Sequence, residues 1–100
     1  MQVYNIFLDR LPKVDLHGYD TESARVKTND FIEESIELGH KEIVIIHGIG
    51  TGAVKDSVHK TLSKNKQVIS YKLDNFNNGC TVVTLKSKGF DTNDNEIRNR

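Results

Sequence analysis

Polar and apolar positions alternate with period two from Lys13 to His17, so that Val14 and Leu16 fall on one side of an extended segment and Asp15 and His17 on the other. Pro12 lacks an amide donor, which sets the start of this first strand just after it. Asp20-Thr21 then offers a helix N-cap. Ala24, Thr28, Phe31, Ser35 and Leu38 follow at three-to-four-residue spacing up to Gly39, a stripe that predicts a helix over 21–38. Ile43-Val44-Ile45-Ile46 is apolar at successive positions, as in a strand covered on both faces, and it runs into His47-Gly48-Ile49-Gly50-Thr51-Gly52. Val54, Val58, Thr61 and Leu62 form a second helical stripe ending near Lys64. Val68 to Leu73 and Cys80 to Lys86 read as strands, and the Asn- and Gly-rich segment 74–79 between them suits antiparallel neighbours. The predicted order is βαβαββ, one α/β domain over residues 13–86.

The ends differ from this body. Val3, Tyr4, Ile6, Phe7, Leu8 and Leu11 make residues 1–12 too apolar for a free tail, and this extension is expected to pack along the domain or against a partner. The polar stretch 87–100 has almost no apolar content and is expected to be poorly ordered. A chain of 100 residues supports a single core. No apolar run approaches the roughly 18 residues of a membrane span, and no secretory leader is evident. Cys80 is the single cysteine and cannot form an internal disulfide, so a reducing cytoplasm is the expected location.

Charge changes the picture in its distribution. The formal net charge is zero, which argues against gripping nucleic acid by bulk electrostatics. From Asp20 to Glu42, however, seven acidic residues face three basic ones, whereas from His47 to Leu73 five lysines (Lys55, Lys60, Lys64, Lys66, Lys72) stand against Asp56 alone. Such asymmetry is compatible with solvated helix faces and equally with a surface that meets phosphates.

Strands joined by a helical crossover run parallel, which brings His17-Gly18 and His47-Gly48 to the same edge of the sheet, where open α/β sheets bind ligands. Either histidine alone is accounted for as an imidazole satisfied by backbone. As a pair at matched strand ends they are candidates for general acid and base, since histidine titrates near neutrality. Asp15 is placed to orient an imidazole or bind a metal, with a divalent cation such as Mg the candidate. The glycine-rich turn leads from strand to helix, where backbone amides and the helix N-terminus can meet an anion, so Gly48, Gly50, Thr51, Gly52 and Lys55 are candidate phosphate-binding residues. The spacing matches neither the dinucleotide fingerprint nor the P-loop, and no nucleotide cofactor is expected. Thr51 is also the expected cap of the second helix.

Val14-Asp15-Leu16-His17-Gly18 and, thirty positions further on, His47-Gly48-Ile49-Gly50-Thr51-Gly52 resemble the paired Leu-Asp-Leu-His-Gly and His-Gly-x-Gly motifs of Smr (small MutS-related) domains. Gly79-Cys80-Thr81-Val82-Val83-Thr84-Leu85 is similar to the strand that ends that family's domain. The resemblance covers roughly Lys13 to Lys86. It implies a βαβαββ two-layer sandwich, with a mixed four-stranded sheet and two helices, similar to the C-terminal domain of translation initiation factor three. It also implies DNA nicking or RNA endonuclease activity, with Asp15, His17, His47, Gly48 and Gly50 at motif positions. Ile49 stands where relatives often carry Lys, and Lys55 where an Arg often follows the turn, so the phosphate site is expected to bind less strongly.

The expected function is therefore cleavage of a phosphodiester in branched or nicked DNA or in structured RNA, with a protein or ribosome partner a further expectation and no membrane role. The competing reading is a non-catalytic nucleic-acid-binding module that seats a phosphate in the same turn. A small-molecule phosphate enzyme is disfavoured because a domain this small has little room for a deep pocket beside its core.

Overall fold

A computed structural model of the chain describes residues 10–88. The expected packing of Val3, Tyr4, Ile6, Phe7 and Leu8, and most of the expected polar tail, lie outside the described residues. The elements are β1 (Lys13–Asp15), α1 (Thr21–Glu37), β2 (Glu42–Ile46), α2 (Ala53–Lys64), β3 (Val68–Leu73) and β4 (Cys80–Leu85). They form a four-stranded sheet in the order β1-β2-β4-β3. β1 and β2 are parallel, while β4 runs antiparallel to both β2 and β3, so the sheet is mixed as expected.

The core lies between the sheet and the two helices. Leu16, Ile43, Ile45, Val83 and Leu85 from the sheet side pack with Ala24, Ile32 and Ile36 of α1 and Val58 and Leu62 of α2. Full burial of such a side chain contributes about 1.5–3 kcal/mol, so this cluster carries most of the fold's stability. Because side chains alternate along a strand, Asp15 and His17 fall on the face opposite Val14 and Leu16 and so escape the core.

Two local differences from the sequence reading have physical causes. β1 ends at Asp15 and not His17: the His17 amide donates to Asp15 Oδ1 (3.1 Å) instead of continuing the ladder, and a tight turn closes behind it with the Tyr19 amide on the Leu16 carbonyl (3.0 Å). In α1 the buried stripe is Ala24, Thr28, Ile32, Ser35 and Ile36, with Phe31 only partly buried. Leu38, expected on that stripe, is the C-cap residue and 67% exposed. The N-cap is Asp20, as read from the sequence, its carboxylate accepting from the Ser23 amide (2.7 Å).

Candidate functional site

The parallel pairing of β1 and β2 sets the two His-Gly dipeptides side by side. A Cβ built on Gly48, whose φ is +86°, would lie 3.2 Å from His17 Cβ, so glycine is required there both for the left-handed backbone and for the close approach. Both histidines line one cleft of about 560 Å³, together with the turn 48–52, Lys55 and, from the β3–β4 loop, Asn77 and Gly79. The convergence expected from the topology is thus present, but the two imidazoles sit in different environments.

His17 is exposed. Its Nδ1–H donates to Asp15 Oδ1 at 2.6 Å, with the side chains 72% and 52% exposed respectively. A carboxylate accepts only, so the proton is fixed on Nδ1 and Nε2 is left unprotonated on a ring that lines the cleft. The hydrogen bonds from His17 hold the Asp15 carboxyl below its ordinary value, which keeps it ionised and able to stabilise a protonated imidazole.

His47 is only 3% exposed and has both nitrogens occupied. Nδ1 lies 3.0 Å from the Gly48 carbonyl, Nε2 lies 2.8 Å from Thr81 Oγ1, and the same hydroxyl lies 2.7 Å from Nε2 of His59 on α2. One proton arrangement satisfies all three bonds with neutral rings. The carbonyl can only accept, so His47 donates from Nδ1; its bare Nε2 accepts the Thr81 hydroxyl proton; His59 Nε2–H then donates to the Thr81 oxygen. The His59 ring also packs edge-on to His47, with centroids 5.8 Å apart, and tilted against Tyr71 at 5.1 Å.

Burial pushes both imidazoles below the ordinary histidine value. Nearby Lys55 adds to the effect on His47, against the raising hydrogen bond to Gly48; His47 and then Lys55 add to it on His59, against the raising charge of Asp56. The unfolded chain therefore binds more protons than the folded one below about pH 6.5. Stability should be fully present above that value and decline as pH falls through the depressed folded values. Melting temperatures recorded between pH 7.5 and 5 should show this decline, and His59→Gln, which keeps a donor amide but cannot titrate, should make it shallower.

The glycine turn is anchored from β4. The Gly79 carbonyl accepts the amides of His47 (2.8 Å) and Gly48 (3.1 Å), while Asn77 Oδ1 holds the Gly79 amide (2.9 Å). The Gly48 amide, expected to face a phosphate, is therefore spent inside the protein. The amides of Ile49, Gly50, Thr51 and Gly52 have no protein acceptor among the described residues. The expected cap is also displaced by one residue: Gly52, at φ +90°, occupies the N-cap of α2, and Thr51 Oγ1 receives the Ala53 amide at 3.3 Å. Lys55 lies on the first turn of α2 and lines the cleft, as expected. Among the described residues no three His, Cys, Asp or Glu side chains converge as a metal site, so Asp15 has no partner ligand set there. Cys80 is buried, which raises its thiol pKa, and lies outside the cleft lining.

His59 and Thr81 are the residues that the sequence reading missed. On α2, His59 adjoins Val58 of the buried stripe and looks like a solvent position. Thr81 did carry a signal, because alternation puts it on the same face as Val83 and Leu85, where a buried hydroxyl requires partners.

A family model described as the Smr domain matches residues 14–86. Endonuclease MutS2 of Clostridium acetobutylicum is 40% identical over 72 residues, covering 72% of this chain and 9% of that protein. Endonuclease MutS2 of Halothermothrix orenii is 38% identical over 79 residues, 76% of this chain and 10% of that protein. The chain thus spans about a tenth of the length of these relatives. Among solved structures, the Smr domain of Thermus thermophilus MutS2 superposes with a TM-score of 0.74 at 30% identity, covering 76% of this chain and 99% of that one. YdaL, a stand-alone small MutS-related protein of Escherichia coli, shares the fold with a TM-score of 0.72 at 22% identity, over 78% of this chain and 66% of that one. With the fold, the two His-Gly strand ends and a family match over most of its length in agreement, this chain belongs to the Smr domain family.

Proposed function

We propose that the chain is a nucleic-acid endonuclease in which His17 moves the proton and the glycine turn holds the phosphate. The observation that carries this reading is the exposed Asp15–His17 pair, with a fixed tautomer and a free Nε2, beside a turn whose amides are open. Nε2 accepts the proton of an attacking hydroxyl, either a ribose 2′-hydroxyl or water. The attacking oxygen bonds to phosphorus, the bond to the leaving oxygen breaks, and that oxygen takes a proton from water in the open cleft. Asp15 stabilises the imidazolium, and the amides of Gly50, Thr51 and Gly52, the α2 N-terminus and Lys55 meet the charge that develops on the phosphoryl oxygens. His47, with both nitrogens engaged, positions the turn and transfers no proton. No step is routed through a metal, because Asp15 has no converging ligand set among the described residues. The relatives named endonuclease support the reaction class.

The test is incubation with end-labelled structured RNA and with nicked or branched DNA, with and without chelator. Cleavage that survives chelation on RNA and leaves a cyclic phosphate is the expected sign of 2′-hydroxyl attack; cleavage of DNA as well points to water as nucleophile. Binding of both without cleavage would replace this reading with the non-catalytic binding module.

A further inference from the structure

A second depression, of about 800 Å³, lies between α1 and α2. Ala53, the first residue of α2, lines both it and the cleft that holds His17, so the two adjoin at the helix N-terminus. We propose, building on the endonuclease reading, that this groove holds the single strand of nucleic acid that flanks the phosphate in the cleft.

Its cationic side chains suit a sugar-phosphate strand. The walls carry hydroxyls and amides, and two cross-helix bonds stitch it: Ser57 Oγ to the Thr21 carbonyl (2.8 Å) and Asn65 Nδ2 to Asn29 Oδ1 (3.0 Å). Of the acidic side chains lining it, Glu22 is held by Arg25 (Nε to Oε1, 3.1 Å) and Asp56 sits at the end nearest the cleft. Further along, Lys60 and Lys64 are exposed, stand one helical turn apart, and form no salt bridge among the described residues. At about 1.5 Å and 100° per residue, Lys64 lies roughly 14 Å along the axis from Lys55 and on the opposite side of the helix, so a strand that meets both curves round the N-terminus of α2 over several nucleotides. The cleft has one lysine, Lys55, and the groove supplies the additional cations that a charge-neutral domain needs to retain a strand.

The experiment measures anisotropy of labelled single-stranded RNA and DNA, about three and about twelve nucleotides long, against salt, using the full chain carrying His17→Ala to block turnover. Lys60→Glu with Lys64→Glu should weaken the longer oligonucleotides about tenfold or more and reduce the magnitude of the salt slope by about 1.4, since each single-strand phosphate contact is worth about 0.7. The shorter oligonucleotides should be unaffected, as should all of them with Lys72→Glu on β3. Glutamine at both positions removes charge without repulsion and should give a smaller loss in the same direction. If Lys55→Glu weakens both lengths while the groove variants match the parent, the groove inference falls and the phosphate site stands. Equal losses from Lys72→Glu would overturn it too. If no oligonucleotide binds the parent chain, both readings fail.

Discussion

A His47→Ala variant is expected to lose about 2–4 kcal/mol of stability, and its nucleic-acid binding with it. Removing the ring takes the acceptor from the Thr81 hydroxyl proton and the donor from the Gly48 carbonyl, and opens a void beneath the turn. Each buried polar group left without a partner costs about 1–3 kcal/mol, and the lost packing adds to that. For a domain of this size the melting temperature should drop by about 10 °C or more. Binding should fall too, because the Gly48 carbonyl that the ring holds is the first link of the turn whose amides face the cleft. Thr81 provides the control from the other end. Thr81→Val keeps the shape but strands two imidazole nitrogens and should also destabilise, whereas Thr81→Ser keeps the hydroxyl and should lose far less. A His47→Ala protein that melts with the wild type would show that this hydrogen-bonded chain holds nothing together.

His17→Ala should behave in the opposite way, with cleavage about a hundredfold slower or worse and folding unaffected. The His17 imidazole is largely exposed and makes one side-chain hydrogen bond, to a carboxylate that is itself half exposed. Its loss removes the acceptor for the nucleophile's proton, and positioned acid–base groups contribute about 10²–10⁴-fold. Asp15→Asn should slow the reaction in the same direction without altering binding, since an amide neither fixes the Nδ1–H tautomer nor offsets the imidazolium charge. The two histidines occupy equivalent places in the sequence motif, and burial separates their roles.

That separation marks what could be read from the sequence. Period-two alternation identified Asp15 and His17 as neighbours on one face, and the crossover topology brought His47 to the same edge; both readings use geometry that the backbone imposes on any sequence. The βαβαββ order and the mixed sheet were legible for the same reason, because each element carries its own period and is bounded by turn or cap residues. Tertiary hydrogen bonding was not legible. Nothing local to His47 announces that Thr81, thirty-four positions away, and His59 will occupy and bracket its ring. Likewise, a Gly-rich turn suggests open amides, but only the pairing of β2 with β4 shows that Gly79 takes the one from Gly48. Leu38 was misplaced because a helical stripe has no internal signal for the residue at which the helix unwinds.

The most direct test of the central claim is the single-turnover cleavage rate of His17→Ala beside wild type, on the same oligonucleotide at saturating protein, with a urea melt of each preparation. The expected result is a rate lower by about a hundredfold or more with superimposable melts and equal affinity. A folded His17→Ala protein that cleaves at the wild-type rate would contradict the account.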